Sequence, residues 1–307
     1  MKKRILALLL CLILTTTVCA VPAFAENTVT VEEAVQSILN DMSNTDDSCT
    51  NASQQAANGA YSLAEMLHLI AVMKAENEQQ SDMLNSILDG MYTTDKSTTD
   101  AEQQLANGAY GISSLLIAIA TMMDEEGNFG EDIRRISEEC DNYDTSAANA
   151  AQQAYNGLDA SVKLLAVIAA ESCTEQSQLD ALNRMLDQYS QNDNAVETVY
   201  QQQANCAQRI FEFLQVFAVL NDRENAYTEQ VDALEDGLIE ADHAADNATA
   251  QVAASLYFST RMAGIIAFEF DACEGRTIPG SAISPGLSGE ILGGCPSVLS
   301  RSDHYCL

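Results

Sequence analysis

The sequence predicts an all-α protein: five 49-residue helical repeats forming an elongated antiparallel, up-and-down, coiled-coil-like bundle, followed by an irregular C-terminal tail. Three observations predict it. First, residue types recur at intervals of 49: Asp46, Asp95, Asp144, Asp193 and Asp242 form one column, and Gln55, Gln104, Gln153, Gln202 and Gln251 another. Asn58, Asn107, Asn156 and Asn205 begin a third, and apolar columns keep the same interval, as in Val35, Leu84, Ile133, Leu182 and Val231, or Ile70, Ile119, Ile168, Phe217 and Ile266. Second, within a unit the apolar positions Leu84, Ile87, Met91, Leu105, Ile112, Leu115, Ile119 and Met122 fit spacings of three and four, one face of a helix. Third, 49 is seven heptads, so that face never loses phase along the chain, as expected of a coiled-coil seam.

The N-terminal segment 1–25 reads as a signal peptide. Lys2, Lys3 and Arg4 form its charged start, Ile5 to Val18 its apolar core, and Ala23-Phe24-Ala25 its cleavage site. The expected location is therefore secreted or extracytoplasmic, by bacterial-type export. Cleavage removes three of the 14 basic residues and none of the 45 acidic ones, leaving 11 against 45, a formal charge of −34. Such a surface disfavours nucleic acid and anionic lipid and attracts cations or basic partners.

The helical repeat domain spans 26–273, with units at about 26–76, 77–125, 126–174, 175–223 and 224–273. Gly127 to Gly130 ("GNFG") mark one turn, and the polar junctions "AENEQQ", "AESCTEQ" and "NDRENAY" mark the others. Each unit is read as one helix of about 45 residues, ~67 Å long at 1.5 Å per residue. The alternative is a short helix followed by a longer one, broken near the Asp column, because Asp is a good N-cap. Residues 274–307 form a Gly/Pro/Ser-rich tail without helical periodicity.

In an antiparallel bundle the middles of all units meet. Gly59, Gly108, Gly157, Cys206 and Ser255 would then make a narrow waist where backbones approach closely, and the amides would hydrogen-bond across it and fix register. The functional reading of the same columns is a polar ladder of the five Asp and five Gln side chains, binding a cation or a small polar ligand. No catalytic residue, metal ligand set or cofactor is assigned. His68, His243 and His304 share no motif, and Asp242, His243 and Asp246 read as a solvated acidic helix face.

Seven cysteines follow the signal peptide. Cys49, Cys140 and Cys206 fall in seam columns and read as buried apolar residues, with one pair among them open to oxidation. The candidate disulfides are Cys295 with Cys306, closing a small tail loop, and Cys173 with Cys273, which end the third and fifth units at the same pole.

The expected function is that of a non-catalytic scaffold or binding module, secreted or envelope-associated, for an unidentified protein or cell-envelope partner, basic in character. Membrane insertion is not expected. Two alternatives stand beside this one. An α-helical pore-forming protein would use segments such as "GISSLLIAIATMM", and a peptide precursor would be cut after Gly294 to release a disulfide-closed C-terminal peptide.

Overall fold

The computed structural model describes residues 28–95, 98–222, 225–274 and 278–279. These residues form an all-α, multi-helix bundle in which short and long helices alternate. The short ones are α1 (Val31–Ser48), α3 (Glu78–Asp95), α5 (Gly130–Ser146), α7 (Gln176–Ala195) and α9 (Thr228–Ala244). The long ones are α2 (Ala52–Lys74), α4 (Ala101–Met123), α6 (Ala150–Glu171), α8 (Val199–Asn221) and α10 (Ala248–Glu274). A two-residue strand at each end, β1 (Thr28–Val29) and β2 (Ile278–Pro279), pairs antiparallel.

Continuous 45-residue helices are therefore not what forms. Each unit is broken in its middle, and the break has a chemical cause. Asn51, Asp100, Asn149, Thr198 and Asn247, themselves 49 residues apart, each place a side-chain oxygen on a backbone N–H of the first turn of a long helix, at 2.9–3.2 Å. These oxygens satisfy donors that a helix start leaves without partners. The Asp column is not the N-cap. It lies in the last turn of the short helices, where the carbonyls of Asp46, Asp144 and Asp242 accept the N–H three residues on and close the helix end.

The connections between short and long helices are brief, so the two halves of a unit pack antiparallel as a hairpin. Asp46 near the end of α1 thus meets Gln55 near the start of α2. The long helices, by contrast, run parallel to one another. Gln103 and Gln153 meet near the starts of α4 and α6, while Lys74 lies 4.1 Å above the Phe270 ring near the ends of α2 and α10. Neighbours follow in order, α2 against α4, α4 against α6, α6 against α8, α8 against α10, and α10 packs back on α2. The architecture is a closed ring of parallel long helices with the short helices outside it, and not an elongated up-and-down bundle. At 23 residues the long helix α4 extends ~35 Å.

Burial follows this layering. The short helices bury one stripe each, such as Val231, Leu234 and Leu238 of α9. The long helices are enclosed on most sides: Ile70, Ile119, Ile168, Phe217 and Ile266 are all buried, as are Leu63, Ile112, Leu158 and Phe211. Among the described residues α4 is the one helix long and apolar enough to cross a membrane by composition, and it is mostly buried among its neighbours.

Close approach happens where the sequence is smallest. A Cβ added to Gly157 would stand 2.8 Å from the Ala109 carbonyl carbon, one added to Gly108 2.7 Å from the Ala60 Cβ, and one added to Gly59 3.0 Å from the Leu256 Cβ. Gly157→Ala must therefore push backbone against backbone and is expected to lower stability by about 1–3 kcal/mol. Gly90, on the exposed face of α3, has nothing within 4 Å of an added Cβ, and Gly90→Ala is expected to raise stability by ~0.5–1 kcal/mol by restricting the unfolded chain. Thermal or denaturant unfolding of the two variants checks the pair of opposite signs.

Candidate functional site at the junction of α6, α7 and α8

The Asp and Gln columns occupy separate hairpins around the ring. Gln55, Gln202 and Gln251 each donate to the Asp nine residues before them, Asp46, Asp193 and Asp242, at 3.4, 3.3 and 2.9 Å. Each such bond ties the end of a short helix to the start of the long helix that follows it. Gln153 instead accepts from Gln103 of the neighbouring long helix, Gln104 is buried, and Asp144 makes further interactions of its own. The side chain of Asp95 lies outside the described residues. Among the described residues no group of three or more His, Cys, Asp or Glu side chains is placed to hold a metal ion.

The Asn column is similarly local. Asn58 Nδ2 donates to the Met42 carbonyl at 2.9 Å, and Asn107 and Asn156 accept from Gln103 and Gln152. The Nδ2 groups of Asn107 and Asn205 are buried without a partner among the described residues.

Cys49, Cys140, Cys173 and Cys206 are free thiols. The Cys173 thiol donates to the Ala169 carbonyl at 3.4 Å. The side chain of Cys273, and all of Cys295 and Cys306, lie outside the described residues, so both candidate disulfides do too, as does His304. His68 is buried on α2 with Nε2 3.1 Å from Asn85 Oδ1, and burial pushes its pKa down to about 4, leaving it neutral. His243 is exposed on α9.

The densest polar constellation joins three helices and was not singled out by sequence. The Tyr155 hydroxyl on α6 donates to Asp193 Oδ2 on α7 at 2.7 Å, and Gln202 on α8 donates to the same oxygen. One turn away, the Tyr189 hydroxyl on α7 lies 2.7 Å from Asp159 Oδ1 on α6 and 3.1 Å from Cys206 Sγ on α8. Lys163 completes the group, 2.8 Å from Asp159 and 3.8 Å from Glu139 of α5. Arg209 and Glu212 pair on α8 beside it. Tyr189, Asn192, Asn205, Gln208, Arg209 and Glu212 line a small cavity of about 20 Å³.

The electrostatics describe a resting network. Burial pushes the Cys206 thiol well above its ordinary range, reinforced by Asp159, so it stays protonated and un-nucleophilic. Burial likewise raises the Tyr189 hydroxyl, with Cys206 and Asp159 adding to it, and raises the Asp193 carboxyl. Burial works against the charge on Lys163, but Asp159 and Glu139 more than offset it and keep the ammonium charged. The chemistry this arrangement supplies is cross-linking by hydrogen bonds. Tyr92 with Glu65, and Tyr110 with Asp141 at 3.4 Å, repeat the motif between α2 and α3 and between α4 and α5. In each case a tyrosine and a carboxylate join a long helix to the short helix of the following hairpin.

No protein-family model, no curated protein and no solved structure matches the chain.

Two carboxyl groups lie in the interior away from this junction. Burial raises Glu65 to about 7, against the lowering effect of the Tyr92 hydrogen bond. Burial raises Glu269 to about 8, with Asp222 adding to it, and neither Glu269 oxygen has a partner among the described residues. Acids whose pKa is higher folded than unfolded hold more protons in the native state. Their stabilisation is complete below the unfolded value and is lost as pH rises through the folded one. The melting temperature is therefore expected to fall as pH is raised from about 5 to about 8.5. Glu269→Gln is expected to flatten the upper part of that fall, as read by melts at a series of pH values.

Proposed function

We propose that the chain is an exported, non-catalytic scaffold, built from five copies of a 49-residue helical hairpin, whose outer helices present carboxylates to a basic protein partner. The supporting observation is a division of labour between inside and outside. Interior tyrosine, aspartate and glutamine side chains such as Tyr155, Asp193 and Gln202 join helix to helix, while the outward face of α9 carries Glu229, Asp232, Asp236 and Glu240, exposed, at spacings of three and four, with no cationic partner among the described residues. On α5 the acids are locally neutralised, by Arg134 with Glu138 and by Arg135 with Asp132 and Glu139. The unpaired stripe of α9, on a chain of net charge −31 before signal removal, favours a cationic protein surface through long-range attraction.

Binding of a decalysine peptide to the mature protein, followed by calorimetry, tests the reading. Affinity is expected to weaken about tenfold or more between 0.05 and 0.5 M salt, because exposed charges are screened beyond a Debye length of ~10 Å at 0.1 M. It is also expected to weaken when Glu229, Asp232, Asp236 and Glu240 are replaced together by their amides. Affinity indifferent to both changes would remove the support for this surface.

A further inference from the structure

The cavity beside Asn205 is explained by comparison with the first hairpin of the same chain. There, Asn58 Nδ2 on α2 donates directly to the Met42 carbonyl on α1 at 2.9 Å and ties the long helix to the short one. Three intervals of 49 residues further on, the corresponding residues are Asn205 on α8 and Tyr189 on α7. The direct bond is not made at this position. Asn205 Nδ2 is buried and lacks a partner among the described residues, and a cavity of about 20 Å³ lies between Asn205, Tyr189 and their neighbours.

Asn107 Nδ2, which stands opposite Met91 in the second hairpin, is also buried without a partner among the described residues, so what marks the Asn205 position is the adjoining cavity and its polar lining. Met42 is an unbranched apolar residue, fully buried, whereas Tyr189 sends its hydroxyl inward to Asp159 and Cys206. The other lining residues, Asn192, Gln208, Arg209 and Glu212, are all polar. An apolar cavity of this size would stay dry, but one with polar walls and an unsatisfied amide N–H favours an occupant able both to accept and to donate. A water needs roughly 10–15 Å³ of such space and two to four polar partners. The volume matches one water.

We propose that this cavity is a binding site for a single ordered water, which accepts from Asn205 Nδ2, donates to the Tyr189 carbonyl, and so replaces the direct amide-to-carbonyl bond of the first hairpin. The water then adds one solvent bridge to the seam between α7 and α8, beside its direct Gln202 to Asp193 and Tyr189 to Cys206 contacts, at the position where the first hairpin makes a direct amide-to-carbonyl bond.

A crystal structure of the mature protein at about 1.8 Å or better tests this. The expected result is one water-sized density peak within about 3.2 Å of both Asn205 Nδ2 and the Tyr189 carbonyl oxygen. A direct Asn205 to Tyr189 bond with the cavity closed, an empty cavity, or density heavier than water would overturn the proposal. Thermal unfolding of Asn205→Leu gives an independent readout of opposite signs. If water bridges the seam, leucine displaces it and removes both hydrogen bonds of the bridge, and the melting temperature falls by about 3 °C, a typical response for a chain of this size. If the cavity is dry, leucine removes an unpaired donor and fills a void, and the rise in melting temperature that follows would contradict the site.

Discussion

Close approach between parallel long helices is the constraint on which the rest of the structure depends. Gly108 touches Ala60, and Gly157 touches Ala109, each 48 residues earlier in the chain. Gly59 touches Leu256, and the ring closes because that contact is the same one carried around five intervals of 49. The fifth long helix therefore meets the first as α2 meets α4 and α4 meets α6. At Gly59, Gly108 and Gly157 an added side chain would push the two packed helices apart, while Cys206 and Ser255 occupy the corresponding places on α8 and α10. Thr260, whose hydroxyl reaches toward the Gly59 carbonyl at 3.5 Å, and the pairing of β1 with β2 add polar contacts at the closing seam.

Around that constraint the polar columns acquire plain structural meanings. The first Gln of each amide pair sits in the opening turn of a long helix. In α2, Gln54 both gives its N–H to Asn51 and accepts from Thr50 with its side chain, a reciprocal cap. In three hairpins the second Gln, at 55, 202 and 251, reaches back nine residues to the Asp that ends the short helix. A carboxylate at a helix C-terminus is disfavoured by the backbone dipole, and an amide donor positioned against it compensates. Tyrosine and carboxylate pairs then fasten α2, α4 and α6 each to the outer helix of the next hairpin. The same burial that makes these bonds strong raises the acids and thiols among them, so the interior is poised for cohesion and its acidity is moderate despite the chain's charge.

The depth of each column was legible in the sequence. Val35, Leu84, Ile133, Leu182 and Val231 are all buried, as their spacing implies, and so is the column that begins at Ile70. The all-helical character followed from the same periodicity. The break in each unit was harder to read, because the capping column varies among Asn, Asp and Thr and leaves the heptad phase undisturbed across it. Asn51 with Gln54, and Thr198 with Gln201, carry the spacing of a capping box and were the signal available. Missing the break turns a hairpin into a rod, and parallel neighbours into antiparallel ones. The α6, α7 and α8 junction was invisible for a different reason: Tyr155, Asp159, Tyr189 and Asp193 come from two hairpins, and their meeting depends on how the long helices stack.

Ring closure is tested most directly by the distance between the first and last long helices. Spin labels carried on non-canonical residues at Glu76, just beyond α2, and Asp271, near the end of α10, are 195 positions apart in sequence. With neighbouring helices 8–10 Å between axes, pulsed electron resonance is expected to give a narrow distribution centred at about 20 Å or less. A distribution centred near 40 Å, the span of five hairpins stacked in an open row at ~10 Å each, would contradict the closed ring.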